Sequence, residues 1–195
     1  MASIGAGMSG GYAWGMQTIY LITTGGTIEK EYSEQLGVVL NNESKISQYL
    51  KSLRLPDCDV RITPLMNKDS LEMTPEDRAI LIAELKRLLA LNCPVVITHG
   101  TDTLVESGLL VERTFPALQV PVVFTGAMKP LGFDMSDGLQ NLTESLLAAR
   151  LLKPGVYVAM HGQVFPVSRT RKDRELGTFV RTDSGGERTE VDGQV

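Results

Sequence analysis

The feature that most constrains this sequence is a unit that recurs without a fixed period. A short apolar run leads into a polar turn containing glycine, and a segment with helical spacing follows. Ile19-Tyr20-Leu21-Ile22 runs into Thr23-Thr24-Gly25-Gly26-Thr27. Pro94-Val95-Val96-Ile97-Thr98 runs into His99-Gly100-Thr101-Asp102-Thr103, and Pro121-Val122-Val123-Phe124-Thr125 into Gly126-Ala127-Met128-Lys129-Pro130. Strands that are apolar throughout are those covered on both faces, and strands that alternate with helices pair in parallel. The expected fold is therefore α/β: a doubly wound, mainly parallel sheet with helices on both faces. Ligands of such sheets bind outside the carboxyl ends of the strands, and all three polar turns fall there.

The rest of the chain fits this frame. Asp59 to Leu65 and Gly155 to Met160 read as further strands. Thr74-Pro75-Glu76-Asp77 is a helix start, with a capping threonine, proline in the first turn and acids at the positive end of the dipole. Ile80, Leu81, Leu85, Leu88 and Leu89 then form an apolar stripe at helical spacing. Ser44 to Leu53, Leu104 to Phe115 and Ser136 to Leu151 read as helices, and Lys30 to Leu40 as a hairpin or mobile flap. Residues 1–17, rich in glycine, alanine and serine, read as a flexible leader or expression remnant, and residues 183–195 as a polar tail. A single domain over residues 18–182 remains.

Composition removes several function classes. No run approaches the roughly 18 apolar residues of a membrane span. The net charge of −4 argues against a nucleic-acid binder. Cys58 and Cys93 are too few for a disulfide framework or a zinc site, and suit a reducing compartment. With no signal-peptide pattern, the expected location is the cytoplasm. His99 and His161 are the only histidines, which excludes a three-histidine metal centre. No metal or cofactor is expected.

Each polar turn has a structural reading and a chemical one. The 23–27 turn lacks the lysine of a P-loop and the spacing of a dinucleotide fingerprint. Thr27 and Asp102 are both suited to capping the turns that follow them, and His99 to packing at a strand end. Together, however, Thr27, Thr101 and Thr103 crowd the strand ends around one carboxylate, Asp102. A hydroxyl becomes a nucleophile only with a base beside it, and a neutral lysine can serve. Lys172 lies in the run Arg169-Thr170-Arg171-Lys172-Asp173-Arg174, which otherwise reads as a solvated loop or an anion-binding patch. Glycine-rich turns also free backbone N–H groups for an oxyanion hole.

Thr24-Gly25-Gly26-Thr27-Ile28-Glu29 and Thr98-His99-Gly100-Thr101-Asp102-Thr103-Leu104 resemble the two signature motifs of the bacterial-type L-asparaginase/glutaminase family. Asn67-Lys68-Asp69-Ser70-Leu71-Glu72-Met73-Thr74 resembles its substrate-binding segment. Phe124 to Pro130, Ser136-Asp137-Gly138 and Asn141-Leu142 match further blocks, in order, over residues 18 to about 182. The resemblance implies cofactor-free hydrolysis of a side-chain amide to a carboxylate and ammonia, with L-asparagine as substrate and L-glutamine as a poorer one.

By the same resemblance, Thr27 is the nucleophile that forms an acyl-enzyme, and Tyr32 is the flap tyrosine that hydrogen-bonds it. Thr101, Asp102 and Lys172 form a trio: Lys172 takes a proton from Thr101, which activates water or relays a proton. Ser70 holds the α-carboxylate, Asp102 the α-amino group and the Ala127 carbonyl the amide. Gly26, Asp69, Leu71 and Gly100 complete the substrate contacts, and backbone amides near Gly26 and Thr101 stabilise the oxyanion. A homodimer or homotetramer is implied, with neither nucleic acid nor membrane as partner.

Three departures from the family pattern bear on affinity. The chain is expected to lack the family's smaller C-terminal domain, Leu71 stands where a glutamine is common, and Tyr32 follows Thr27 by only five residues. The first two remove polar contacts to the amino group, so a high KM is expected. The alternatives are an amidohydrolase with another substrate, such as an amidotransferase component or a lysophospholipid hydrolase, and a non-catalytic asparagine or aspartate sensor.

Overall fold

The computed structural model describes residues 16–33, 38–41 and 46–182. The leader before residue 16 and the tail from 183 lie outside the described residues. In chain order the elements are β1 (Gln17–Gly25), β2 (Lys30–Ser33), β3 (Val38–Asn41), α1 (Ile46–Ser52), β4 (Cys58–Lys68), α2 (Pro75–Leu89), β5 (Val95–Thr98), α3 (Leu104–Thr114), β6 (Pro121–Thr125), α4 (Gly138–Leu151), β7 (Gly155–Met160), β8 (Gln163–Pro166), β9 (Thr170–Asp173) and β10 (Thr178–Arg181). No helix among the described residues is long and apolar enough to cross a membrane.

The apolar runs become the centre of a six-stranded sheet of order β4-β1-β5-β6-β7-β8. Every pairing is parallel except that of β8, which folds back on β7. Helices α2 and α3 cover one face through Leu81, Leu85, Leu88, Leu104 and Val111, against Ile22, Ile97, Phe124 and Val158. Helices α1 and α4 cover the other through Ile46, Leu142, Leu146 and Ala149, against Ile19, Leu21, Val96 and Val123. This is the expected doubly wound, three-layer arrangement. β4 alone among the parallel strands is only half-buried, because it is an edge.

The strand order locates the ligand crevice. β1 pairs with β4 on one side and β5 on the other, so the chain changes winding direction at β1. Tyr20 is level with Val95 and Thr23 with Thr98, which leaves the turns after β1 and β5 side by side at the carboxyl edge. That is the topological switch point, outside which sheets of this kind bind their ligands.

Local signals fix the supporting elements. Thr74 and Asp77 form a reciprocal capping box at the start of α2, and Asp77 also holds Lys68 Nζ at 2.8 Å. The end of β4 is thereby tied to the start of α2. Asp137, in contrast, does not cap α4; its carboxylate turns back to the amides of Met128 and Lys129. Lys30–Ser33 and Val38–Asn41 pair antiparallel, as expected of a hairpin, with Lys30 opposite Asn41 and Ser33 opposite Val38. Residues 34–37 of that segment lie outside the described residues.

The run from Arg169 to Arg174 is not only a charged loop. Thr170–Asp173 is β9, paired antiparallel with β10 so that Lys172 lies opposite Phe179. Two wholly buried side chains, Val167 and Phe179, peg this hairpin into the core beside α3. Directly opposed residues share a face, so the buried Phe179 ring anchors the hairpin beside the lysine that reaches Thr101. Phe179→Ala is expected to cost about 3–5 kcal/mol of stability, as core phenylalanine truncations do. Urea unfolding at neutral pH reads this directly, and a loss under about 1 kcal/mol would mean that the hairpin is not pegged by this ring.

Candidate active site

The cleft is built on close backbone approach. Gly26 has a φ of 81°, and a side chain there would strike the Gly100 backbone. Gly100 in turn packs on Ser70, leaving no room for a side chain. The turns after β1, β4 and β5 are thus in mutual contact. Ile28 packs with Ala127 and Leu131, which brings the turn after β6 against the same segment. Thr27, half-buried, opens a single 3-10 turn at this meeting point.

Three of the expected catalytic groups are brought together across long stretches of chain. Lys172 Nζ lies 2.8 Å from Thr101 Oγ1 and 3.1 Å from Asp102 Oδ1. Asp102 therefore does not cap α3, whose first residues are preceded by Thr103; the Thr103 hydroxyl instead donates to the Ser70 carbonyl at 2.9 Å. Nor does Thr27 act as a cap, since Gly26 holds that position. Tyr32 sits on β2 with its backbone opposite Val39, and its side chain lies outside the described residues.

The expected substrate contacts divide into several kinds. Asp69 stands before the short 3-10 turn Ser70–Glu72 and accepts the Leu71 amide at 3.1 Å. Its other oxygen holds Lys30 Nζ at 2.7 Å. The Lys30 ammonium, aided by the Leu71 amide, holds the Asp69 carboxyl below the usual carboxylate range. Ser70 is buried against Gly100, and its Oγ has no hydrogen-bond partner among the described residues. Leu71 faces solvent, 68% exposed. Ala127 is wholly buried. The Gly26 N–H already donates to the Lys68 carbonyl at 2.9 Å, so it is not available to an oxyanion.

Several groups at the cleft were not singled out by sequence reasoning. Glu29 is buried beneath the first turn, with Oε1 accepting the Gly25 amide at 3.0 Å and the Thr98 hydroxyl at 3.2 Å. Lys30 covers Asp69, and Arg174 Nη2 reaches Asp102 Oδ1 at 3.0 Å. Arg174 lies in the turn just after β9, where the two-residue period of a strand no longer applies.

A second polar network supports the hairpin from behind. His161 Nε2 lies 2.8 Å from Asp137 Oδ2, and Nδ1 lies 2.8 Å from Thr178 Oγ1. Asn141 bridges the Gly126 carbonyl and the His161 amide, each at 2.9 Å. Burial alone would raise the Asp137 carboxyl, but the Met128 amide, His161 and the Lys129 amide outweigh it and hold the carboxyl below its usual range. The motif Ser136 to Leu142 thus ties the turn after β6 to β10. Among the described residues no group of three or more His, Cys, Asp or Glu is placed to hold a metal ion.

Residues 18–182 match the sequence model of the family described as "Asparaginase, N-terminal", and the chain belongs to that family. The L-asparaginase of Thermococcus kodakarensis is 30% identical over 159 residues, which cover 82% of this chain and 48% of that protein. One component of the glutamyl-tRNA(Gln) amidotransferase of Sulfolobus acidocaldarius is 30% identical over 150 residues, 74% of this chain and 33% of that one. The solved structure of the thermostable L-asparaginase from Thermococcus kodakarensis superposes with a TM-score of 0.74 at 28% identity, over 85% of this chain and 51% of that one. The chain therefore spans about half the length, or less, of the relatives it matches.

His99 directly follows β5, wholly buried and edge-on to Phe124. Its Nδ1–H donates to the Gly100 carbonyl at 2.8 Å, while Nε2 has no partner among the described residues. Burial, with the Arg78 guanidinium nearby, lowers its pKa from 6.5 to about 4 against the opposing pull of the Gly100 carbonyl. The unfolded chain thus binds this proton first as pH falls. The stability His99 contributes is complete above pH 6.5 and is lost between 6.5 and about 4. The expected loss over that window is about 3 kcal/mol. Urea unfolding across pH checks this against His99→Gln, in which that part of the decline should vanish; an equally steep fall in the variant would assign it to other groups.

Proposed function

We propose that this chain hydrolyses the side-chain amide of a small amino acid, with L-asparagine as first substrate and L-glutamine as a poorer one. The observation that carries the reading is the hydrogen bond of 2.8 Å between Lys172 and Thr101, with Asp102 on the same nitrogen, beside the Thr27 turn at the switch point. Similarity to L-asparaginases supports it.

In the proposed sequence the Thr27 hydroxyl attacks the amide carbon. The C–N bond breaks, the proton lost by Thr27 goes to the departing nitrogen, which leaves as ammonia, and an ester to Thr27 remains. Water, activated at Thr101, then releases the acid. Thr101 passes its proton to Lys172 in the neutral form, and Asp102 holds the ammonium that results. With the Gly26 amide engaged by Lys68, the Thr27 and Thr101 amides are the candidates for the oxyanion. Ser70 Oγ is the buried donor that a substrate carboxylate would satisfy. Tyr32 is the proposed hydrogen-bond partner of Thr27. The exposed, apolar Leu71 adds no polar contact to a substrate amino group, which favours a high KM.

A second reading rests on the similarity to an amidotransferase component: glutamine would then be the preferred amide and the chain a source of ammonia. One methylene separates the two substrates, a difference typically worth about 1–3 kcal/mol, so a direct comparison is informative. The two free thiols suit the cytoplasm.

Ammonia release should be followed from L-asparagine and L-glutamine over a wide concentration range. Thr27→Ala and Lys172→Met should each lower kcat by at least about 10³-fold without lowering the melting temperature. Turnover at the parent rate in either variant would remove that residue from the mechanism. A higher kcat/KM on glutamine would favour the second reading, and aspartate binding without ammonia release would leave a sensor. The proposed homodimer or homotetramer is tested by sedimentation, where only a single-chain species at assay concentration would overturn it.

A further inference from the structure

The carboxylate that family resemblance assigns to the substrate's α-amino group, Asp102, is already shared. Asp102 Oδ1 receives Lys172 Nζ at 3.1 Å from the protein side and Arg174 Nη2 at 3.0 Å from the solvent side. The Arg174 side chain is 76% exposed, that of Lys172 only 19%. Asp69, the other acid at the opening, is occupied by Lys30 at 2.7 Å. The two acids share one cleft. Ser70, next to Asp69, packs on Gly100 and accepts the Thr103 hydroxyl, and the field of Lys172 reaches Asp69. Among the described residues, both carboxylates at the opening are therefore already paired, Asp69 with Lys30 and Asp102 with Arg174 on its solvent side.

An incoming α-ammonium has to displace Arg174 from Asp102 or sit beside a guanidinium that repels it. A substrate that carries a carboxylate but no ammonium meets no such obstacle, and the Arg174 guanidinium attracts its negative charge. From this arrangement, and resting on the amidase reading above, we infer that Arg174 is a specificity-determining residue that tilts the site toward ω-amides of dicarboxylic acids lacking an α-amino group. The reaction is the same hydrolysis: Thr27 displaces ammonia from the acyl carbon as the C–N bond breaks, and water then cleaves the ester to release a dicarboxylate.

An exposed guanidinium–carboxylate pair is modest in strength, and so is one like-charge contact in water. The effect is therefore a shift in substrate preference and not an on–off switch. The test uses the full 195-residue chain and two probes, L-asparagine and succinamate, which is asparagine without its α-amino group. Ammonia release gives the ratio of kcat/KM for succinamate to that for asparagine. The parent protein is expected to turn over both probes. Arg174→Gln is expected to lower this ratio about tenfold, mainly through a lower KM for asparagine. Arg174→Lys keeps the cation and should hold the ratio near the parent value. Turnover of asparagine with a ratio unchanged within about twofold in Arg174→Gln would overturn the role of Arg174 and leave the amidase reading standing. Ammonia from neither probe would overturn both.

Discussion

The contact on which the rest of the structure depends is the approach of the Gly26 and Gly100 backbones at the point where the sheet changes winding direction. Parallel pairing of β1 with β5 brings the two turns level, but the absence of side chains at these glycines lets the turns touch. Thr27 and Thr101 each follow a glycine of that contact by one residue. A hydroxyl pair on two separate turns is therefore placed by main-chain packing, which is stiffer than any arrangement of surface side chains. Ser70 packed on Gly100, and Ala127 on Ile28, close the same junction from two further strands.

Electrostatics completes what packing begins. The buried Glu29 holds the first turn by accepting one backbone amide and one threonine hydroxyl. The lysine comes from a hairpin that has little area of its own and depends on two anchors. Val167 and Phe179 fix it from below, and the Asp137–His161–Thr178 link fixes it from the side. The cleft thus carries its cations on an element attached at its apolar root, with polar tips that reach Asp102. His99 stands apart from this scheme. It is neutral and buried, and it supports the Gly100 turn as a packing residue with one hydrogen bond.

Much of the frame was legible in the chain. The bounds of β6 and β7 coincide with the apolar runs, because residues buried on both faces leave an uninterrupted signature. Thr74-Pro75 marks the start of α2 because capping is a local interaction. The failures lie where structure is set from a distance. β8, β9 and β10 are short, and β8 is largely exposed, so no period distinguishes them from loops. A run of arginines and lysine reads as solvated until Phe179 and Val167 are known to be buried beneath it. Asp102 resembled a helix cap because its neighbours in sequence suggest one, whereas its real partners lie 70 and 72 residues away. Thr101, Asp102 and Lys172 were named together through family resemblance; spacing alone could not have joined them. Lys30 and Arg174, each paired with an acid at the opening, went unassigned because ion pairs across a cleft leave no mark in a linear pattern.

The same separation has a consequence in time. Lys172 meets Thr101 across 71 residues, and the hairpin that carries it is the last described element of the chain. Synthesis proceeds from the amino terminus, and distant contacts carry the entropy cost of closing long loops. Strands β1 to β6, with both threonine turns, have left the ribosome before the lysine has been made. A nascent chain can therefore assemble the cleft in a chemically silent form. The group proposed to take up protons arrives only when β9 and β10 dock. In this protein the order of the sequence is also a schedule, in which scaffold precedes reactivity.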